Sequence, residues 1–469
     1  MVIPHYAGRT VAVLGLGKTG LTAARALSMG GARVKCWDDT ADRRAEAEAA
    51  GFTCVEPTPR TWSDIVACIW SPGIPHTFPK PHPAKAILDA KGIVPVCDIE
   101  LLLSRCADAF TVAITGTNGK STTTALIGHI LKCAGHRVEV GGNLGTPVLD
   151  LAPLPFHGTY VLEMSSYQLE LTPSLSPDVA LLLNITPDHL ARHGGMDGYV
   201  AAKERIFANQ WQPAVAVIGQ DDKHCRAMTR RVANACNADV IPVRADGEEP
   251  GGIFTLDGVL FDATARGEPR EVCDLRTIPA LPGAHNWQNA CAAYAACRAR
   301  GVHPQTIVAA MRTFPGLAHR QETVAVIDGV RFVNDSKATN AEAAEKALTC
   351  YGAVYWIAGG QAKEGGIDAL KPHFKRIRHA FLIGEAAADF AKVLKAEGVP
   401  VTMAGTLEDA VSAAAVRAAR DEVREPVVLL SPACASWDQF KSFEHRGDTF
   451  RALVARMETR GAAAGGGAA

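Results

Sequence analysis

Two glycine-rich loops, each placed between a short apolar run and a helix-like segment, constrain the fold of this chain more than any other feature. The first is GLGKTG at residues 15–20, after TVAVL, and the second is GTNGKST at residues 116–122, after FTVAIT. A loop of this kind leads from a parallel strand into a helix, and it turns backbone N–H groups and the positive helix end toward an anion. The sequence therefore predicts parallel sheets covered by helices, with two sites for phosphate groups.

Strand and helix patterns alternate along nearly the whole chain, in three successive series. A chain of 469 residues is too long for one hydrophobic core, and typical domain sizes favour about two to four domains. We predict an α/β protein with three domains: an N-terminal Rossmann-like domain (1–97), a central P-loop ATPase-like parallel sheet (98–316) and a C-terminal Rossmann-like domain (317–469). A β-rich excursion is expected at residues 251–274, and the low-complexity tail 461–469 is expected to be disordered.

The charge balance excludes several classes of partner. The chain carries 48 basic and 49 acidic residues, so no basic field is left to neutralise nucleic acid or an anionic membrane. No apolar run is long enough to cross a bilayer, and the first ten residues lack a signal-peptide pattern. The 13 cysteines include no CxxC pair. We therefore expect a cytosolic protein that binds neither nucleic acid nor membrane. Cysteines in apolar patterns are expected to be buried: Cys36, Cys68, Cys133, Cys291 and Cys297.

The first loop matches GxGxxG, a pattern that dinucleotide-binding folds share with plain structural turns. Asp38 and Asp39 end the next strand, at about the spacing expected of a ribose-binding acid. A nicotinamide-dependent oxidoreductase is therefore one reading, and a plain turn is another.

The second loop has the composition that a triphosphate requires. Backbone amides would surround the phosphate oxygens, Lys120 would meet the β- and γ-phosphate charge, and Ser121 or Thr122 would bind magnesium. The standard GxxxxGK[ST] pattern needs glycine at position 114, where Ile114 stands, so the match is to the shorter form GTNGKS[T].

That shorter form, together with NDSKATN and LAHRQE, resembles the Mur ligase and folylpolyglutamate synthase superfamily of ATP-dependent amide-forming enzymes. The resemblance extends along essentially the whole chain through GLGKTG, GGNLGTP, LEMSSYQLE, NITPDHLARHG, AAKERIF and GAHNWQNA. The segment SPACASWDQFKSFEHRG near the end is similar to the branch that adds D-glutamate.

This resemblance implies that the chain joins D-glutamate to UDP-N-acetylmuramoyl-L-alanine in peptidoglycan precursor synthesis. An acyl phosphate would be the intermediate, and ADP and phosphate would be released. The first loop would then face the diphosphate of the nucleotide substrate, whose implied site comprises Gly17, Lys18, Thr19, Asp38, Ser71, Gly73 and Asn143. The family often has Asp-Thr-Arg after the second strand, where this chain has Asp38-Asp39-Thr40, and Lys18 would supply the missing positive charge.

For the chemical step the resemblance implies ATP and magnesium as cofactors. The implied ATP loop comprises Gly116, Thr117, Asn118, Gly119, Lys120, Ser121 and Thr122. The implied catalytic residues are Lys120, Glu163, His189 and Lys203. The implied magnesium ligands are Ser121, Glu163, His189 and Lys203, the last after carbamylation. His189 and His193 have a spacing that would also suit zinc, but no third ligand recurs at metal spacing, and His193 is expected to be structural.

Further implied ATP contacts are Asn286, Asn289, Arg320, Asp335 and Lys337, and the implied D-glutamate site comprises Thr339, Lys363, Ser436 and Phe443. The two asparagines are also compatible with helix capping. A monomer is expected. Open alternatives are a sister Mur ligase, a folylpolyglutamate synthase, a nicotinamide-dependent oxidoreductase and a nucleotide-binding regulator without turnover.

Overall fold

The computed structural model of the protein describes residues 1–143, 145–235, 237–362 and 365–465. The described strands form three sheets, rich in parallel pairs and flanked by helices, so the predicted α/β class is confirmed. The chain divides into two compact units. One comprises residues 1–275 and 284–314, and the other comprises residues 276–283 and 315–469. The predicted domain boundaries at residues 97 and 316 stay predictions.

The first sheet is a four-stranded parallel sheet with the strand order β3-β2-β1-β4. Its strands are β1 (Thr10–Leu14), β2 (Arg33–Trp37), β3 (Thr53–Cys54) and β4 (Ile65–Trp70). The helices of this part are α1 (Lys18–Met29), α2 (Ala41–Ala49), α3 (Ala84–Ala90) and α4 (Asp98–Arg105). All five residues of β1 are buried, because a central parallel strand is covered on both faces. The first glycine loop follows the carboxyl end of this buried strand.

The second sheet has nine strands in the order β13-β12-β11-β10-β9-β8-β5-β7-β6. The strands are β5 (Phe110–Thr115), β6 (Val138–Gly142), β7 (Thr159–Glu163), β8 (Val179–Leu182), β9 (Val215–Gly219), β10 (Asp239–Arg244), β11 (Ile253–Leu256), β12 (Val259–Asp262) and β13 (Arg270–Asp274). The helices are α5 (Lys120–Cys133), α6 (Ser166–Glu170), α7 (Leu190–His193), α8 (Met196–Glu204), α9 (Lys223–Ala235), α10 (Ala284–Ala299) and α11 (Pro304–Arg312). β5 lies between β7 and β8, so the second glycine loop and Glu163 leave neighbouring strands at the same sheet edge. β11–β13 form antiparallel pairs, as the β-rich excursion predicted.

The third sheet lies in the second compact unit and has the order β14-β15-β19-β16-β17-β18. Its strands are β14 (Glu322–Ile327), β15 (Val330–Asn334), β16 (Ala353–Gly359), β17 (Ile377–Ile383), β18 (Val401–Gly405) and β19 (Pro426–Leu430). Its helices are α12 (Ala341–Cys350), α13 (Ala387–Ala396), α14 (Leu407–Arg420) and α15 (Phe443–Gly465). Thr406 caps α14 by accepting the N–H of Asp409 at 3.2 Å.

The expected disorder of the tail 461–469 stays a prediction: the backbone of α15 extends to Gly465, and residues 466–469 lie outside the described residues. One expectation needs correction. Cys133 is exposed rather than buried, because it lies on the outward face at the end of α5. No described helix combines the length and apolar character needed to cross a membrane.

Candidate active site

The triphosphate loop is held by side chains from neighbouring strands and helices. Asn184, after β8, accepts the N–H of Asn118 on Oδ1 at 2.8 Å, and its carbonyl accepts the N–H of Thr117 at 2.9 Å. Gly119 has a left-handed φ of 84°, and a Cβ there would lie 2.2 Å from Oδ1 of Asn289. Only glycine combines this backbone conformation with such a close neighbour. These contacts therefore fix the backbone conformation of the loop just ahead of α5, which begins at Lys120.

Two lysines meet at this loop. Lys120 donates from Nζ to the carbonyl oxygens of Gly116 and Thr117, at 2.9 and 2.8 Å. Lys203, on α8, donates from Nζ to the same Gly116 oxygen at 2.8 Å and is 1% exposed. Burial, with a further contribution from the positive charge of Lys120, lowers the pKa of Lys203 well below the usual lysine value. A neutral amine, the form that reacts with carbon dioxide, is therefore more accessible at Lys203 than at an exposed lysine.

Glu163 ends β7 with a buried carboxylate that has one unused oxygen. Asn143, after β6, donates from Nδ2 to Oε1 of Glu163 at 2.8 Å. The other oxygen, Oε2, is buried and has no hydrogen-bond partner among the described residues. A buried carboxylate oxygen without a partner is unfavourable unless a cation or donor meets it. This oxygen therefore fits a metal ion.

The two histidines of the NITPDHLARHG segment have different surroundings. His189 has a left-handed φ of 52° just before α7 and lies 3.5 Å from the carboxylate of Asp188. His193 is buried, and its ring nitrogens contact Oγ of Ser166 at 2.9 Å and Oε1 of Glu170 at 3.2 Å. Within the described residues no three His, Cys, Asp or Glu side chains are grouped closely enough to bind a metal. The arrangement agrees with a structural role for His193.

The first glycine loop turns sharply around its two outer glycines. Gly15 has a left-handed φ of 91°, and a Cβ at Gly20 would lie 1.8 Å from the Gly15 carbonyl oxygen. Asp38 accepts the N–H of Leu16 at 2.7 Å. Burial raises the pKa of Asp38, but backbone hydrogen bonds from Leu16 and Thr40 and the charge of Arg43 outweigh it, so this pKa is lowered overall. Asp38 is thus an ionised support of the loop.

One cavity of about 430 Å³ connects the two glycine loops. Four predicted nucleotide-substrate residues line it: Lys18, Thr19, Gly73 and Asn143. Four predicted residues of the ATP loop and catalytic set line it as well: Gly116, Lys120, His189 and Lys203. A ligand in this cavity would therefore meet both loops.

In the second compact unit several predicted ATP and D-glutamate residues lie near the start of α15. Asp335 is buried and accepts hydrogen bonds from Oγ of Ser431 at 2.7 Å and the N–H of Gln321 at 3.1 Å. Burial raises the pKa of Asp335 to about 7. Lys337 places Nζ 3.7 Å from the ring centre of Phe443.

A buried arginine fixes the same region. Arg446 is 1% exposed and donates to both Oγ and the carbonyl oxygen of Ser336, at 3.0 and 2.9 Å, and to the carbonyl oxygen of Cys434 at 3.1 Å. Arg446 thereby connects the backbone just before Thr339 with the backbone just before Ser436. The side chain of Ser436 is buried. Lys363 lies outside the described residues, and Arg320 is exposed.

Comparison with known proteins decides the family. Residues 114–297 match the Mur ligase middle domain, and residues 319–434 match the Mur ligase, glutamate ligase domain. The UDP-N-acetylmuramoylalanine–D-glutamate ligase of Rhodospirillum rubrum is 58% identical over 469 residues, covering 99% of this chain and 98% of the relative. The enzyme of the same name from Paramagnetospirillum magneticum is 53% identical over 98% of this chain and 99% of the relative.

The chain belongs to the Mur ligase family. The predicted family and the prediction of an ATP-dependent ligase are thereby confirmed. Solved structures support the fold: the UDP-N-acetylmuramate-alanine ligase of Thermotoga maritima has a TM-score of 0.58 at 16% identity, covering 96% of this chain and 99% of that one. MurF of Acinetobacter baumannii has a TM-score of 0.55 at 21% identity, covering 75% of this chain and 78% of that one.

In this Mur ligase several predicted residues support the cavity from behind rather than line it. Asn286 and Asn289 are buried in α10, where Nδ2 of Asn289 donates to Oδ1 of Asn286 at 3.1 Å. The others lie in the loops, at strand ends or in the first turn of α5: Gly17, Asp38, Ser71, Thr117, Asn118, Gly119, Ser121, Thr122 and Glu163. The roles assigned to these residues stay predictions.

Some residues at the site of this Mur ligase were not predicted from the sequence. Tyr199 lines the cavity, shares a hydrogen bond of 3.0 Å with Oγ1 of Thr117, and has Nζ of Lys203 4.7 Å from its ring centre. Its position four residues before Lys203 was an available signal, because such residues share a helix face. Arg43 lies beside the first loop, with Nη1 3.8 Å from where a Cβ of Gly17 would be. It is a second candidate for the positive charge assigned to Lys18.

Proposed function

We propose that this Mur ligase adds D-glutamate to UDP-N-acetylmuramoyl-L-alanine in the cytosol, as a monomer, with ATP and magnesium. The observation that carries the proposal is the single cavity lined by both glycine loops. A substrate with a diphosphate at one end and a reacting carboxylate at the other needs both loops at once. A nicotinamide-dependent oxidoreductase would have no use for the second loop. The names and high identity of the two relatives support the choice of amino acid.

Binding of the nucleotide substrate would use the first loop. The backbone N–H groups at the start of α1 and the exposed ammonium of Lys18 would meet the diphosphate. The peptide end would extend along the cavity past Asn143 toward the second loop. The carboxylate would thereby lie next to the bound ATP, so that its reaction becomes effectively unimolecular.

The chemistry follows from the poor reactivity of a carboxylate toward an amine. One carboxylate oxygen of the substrate attacks the γ-phosphorus of ATP, ADP leaves, and an acyl phosphate forms. The amine of D-glutamate then attacks the acyl carbon, and the tetrahedral intermediate loses phosphate to leave an amide. Lys120 and the N–H groups of the second loop would stabilise charge on the transferred phosphoryl group.

Magnesium fits the donor set on one side of the cavity. Glu163 offers a buried oxygen that has no hydrogen-bond partner in the described part of the chain, and Ser121 is a buried hydroxyl at the start of α5. His189 and a carbamylated Lys203 would complete the set. When bound, the ion would reduce the negative charge on the phosphate groups.

D-Glutamate and part of ATP would be bound by the second compact unit. D-Glutamate carries two carboxylates and an amine, which need cations, amide N–H groups and hydroxyls. We propose that Thr339, Lys363, Ser436 and Phe443 form this site, and that Arg320, Asp335 and Lys337 contact ATP together with Asn286 and Asn289.

Phosphate release from ATP tests this proposal. The purified chain would be assayed with magnesium and UDP-N-acetylmuramoyl-L-alanine, adding D-glutamate, L-glutamate, L-alanine or meso-diaminopimelate in turn. We expect release only when the nucleotide and D-glutamate are both present. Release with another amino acid would assign a sister activity, and no release with any of them would overturn the proposed reaction. Lys120→Ala is the matched inactive control.

A further inference from the structure

A proline-rich segment, residues 71–83, carries one wall of the cavity. Its Pro72 and Gly73 line the cavity directly. At its start, the N–H of Ser71 donates to the Leu14 carbonyl at 2.8 Å, and a Cβ at Gly15 would lie 2.3 Å from Cβ of Ser71. The position of this segment therefore decides the position of the first glycine loop.

Arg192, on α7, holds this segment through its backbone. Nη2 donates to the carbonyl oxygens of Pro72 and Ile74, both at 3.0 Å, and Nη1 donates to that of Phe78 at 3.1 Å. Its guanidinium carbon lies 4.8 Å from the ring centre of Tyr167, which lines the cavity. Three carbonyl groups from different directions match the rigid, multi-donor guanidinium, and a lysine ammonium cannot reproduce that geometry.

Further contacts join the proline-rich segment to the same layer of helices. A Cβ at Gly194, whose φ is 69°, would lie 2.9 Å from the ring of Phe78, so the ring packs directly on the backbone after α7. His76 places Nε2 3.7 Å from Glu170, the residue that also contacts buried His193. The segment is thus fixed to α6 and α7 at several points, of which Arg192 supplies the largest number of hydrogen bonds.

The placement of Arg192 links the two ends of the cavity. Asp188 and His189, which line the reaction end, immediately precede the four-residue helix α7 that carries Arg192. The guanidinium of Arg192, at the other end of this helix, holds the proline-rich segment, which lines the nucleotide end of the cavity. One short helix therefore determines the distance between the first glycine loop and the residues around Lys120.

We propose that Arg192 is a positioning residue of the ligase reaction. By holding the proline-rich segment in place, it positions the nucleotide substrate so that the substrate carboxylate reaches the triphosphate loop. This inference rests on the proposed function. Misplacement of reacting groups by about 1 Å can reduce a rate by about a hundredfold, so a shift of the proline-rich segment would be visible in the kinetics.

The test compares Arg192→Lys and Arg192→Ala with the control Arg205→Lys. Arg205 also donates to a backbone carbonyl, that of Leu169 in α6 at 3.0 Å, and this carbonyl lies outside the proline-rich segment. For the Arg192 variants we expect kcat/KM for the muramoyl nucleotide to fall by about tenfold to a hundredfold, with a raised KM for that substrate. We expect the KM for ATP to stay within about twofold, the control to behave as wild type, and amide hydrogen exchange in residues 72–78 to become faster.

The outcomes separate this inference from the proposed function. If the wild type releases no phosphate with D-glutamate, the proposed function fails, and the role of Arg192 in that reaction fails with it. If the wild type is active and the variants keep the wild-type constants, only the role of Arg192 is wrong. A fall in activity that a smaller folded fraction fully accounts for, with both KM values and the hydrogen exchange of residues 72–78 unchanged, also contradicts positioning.

Discussion

The Nζ atom of Lys203 lies 2.8 Å from the carbonyl oxygen of Gly116, and the side chain around it is almost completely buried. Replacing this lysine by methionine keeps the shape and removes the amine. We expect Lys203→Met to lower kcat by about a hundredfold or more, because an electrostatic group beside the reacting phosphates is lost. We expect the unfolding temperature to stay the same or rise, since a buried ammonium is costly to desolvate. Retained ligase activity in a folded variant would contradict a catalytic Lys203.

Glu163→Gln tests the magnesium side of the site. The glutamine oxygen can still accept the hydrogen bond from Asn143, while the unpartnered carboxylate oxygen is replaced by an uncharged amide. We therefore expect a loss of about a hundredfold in kcat and a higher magnesium requirement, with little change in unfolding temperature. The control is Glu139→Gln, on β6 outside the cavity wall. Unchanged magnesium dependence at full activity would remove Glu163 from the proposed ligands.

Arg43→Ala tests the cation beside the first glycine loop. Its side chain is about half exposed and lies 3.4 Å from Asp38, which keeps its backbone hydrogen bonds in the variant. We expect the KM for the muramoyl nucleotide to rise by about tenfold, the equivalent of about 1.4 kcal/mol, and kcat to change little. Arg25→Ala, on an exposed position of α1, is the control. An unchanged KM would leave Lys18 as the candidate for this role.

Gly20→Ala tests the packing of the first loop. The added methyl group would lie 1.8 Å from the carbonyl oxygen of Gly15, so the loop or α1 must shift. Overpacking of this kind costs about 1–3 kcal/mol. We expect a lower unfolding temperature and weaker nucleotide binding. Gly352→Ala, where a Cβ meets nothing within 4 Å, should change neither.

Asp98 makes stability depend on pH. Burial raises its pKa to about 7 in the folded chain, and an unfolded aspartate has a pKa of about 4. Between these values the folded chain holds a proton that the unfolded chain has released. The free energy of unfolding contributed by this group therefore falls as pH rises from about 4 to about 7, by on the order of a few kcal/mol.

Asp98→Asn should remove this part of the dependence, because an amide does not titrate. The urea midpoint measured at pH 5 and pH 8 should differ less in Asp98→Asn than in the wild type. The exposed Asp42→Asn should retain the wild-type difference. Equal differences in all three proteins would show that Asp98 does not titrate as described.

The sequence predicted the architecture well because its signals are local. Apolar runs such as TVAVL and FTVAIT mark buried parallel strands, and glycines after them mark the turns into α1 and α5. These features depend on neighbours within a few residues. The same reasoning placed both glycine loops between a strand and a helix, where the structure has them, while their role in binding phosphate stays a prediction.

Side-chain orientation was harder to predict because it depends on distant parts of the chain. Asn289 lies against Gly119, and Arg192 holds carbonyl groups more than a hundred residues away. Nothing in the NITPDHLARHG segment distinguishes Arg192 from a surface arginine. Burial of an orphan oxygen on Glu163 is likewise a property of packing, which no motif encodes.

The C-terminal compact unit is discontinuous in sequence, since it includes residues 276–283 as well as 315–469. Cys350 contacts the Pro282 carbonyl through Sγ at 3.7 Å, and Gly316 lies next to Ala280. A fragment that starts at residue 315 would lack residues 276–283. The residues that pack against them, such as Cys350 and Gly316, would then be exposed to water. Isolating the second compact unit by simple truncation should therefore yield a poorly soluble product, whereas a circular permutant or a fusion that restores residues 276–283 should fold.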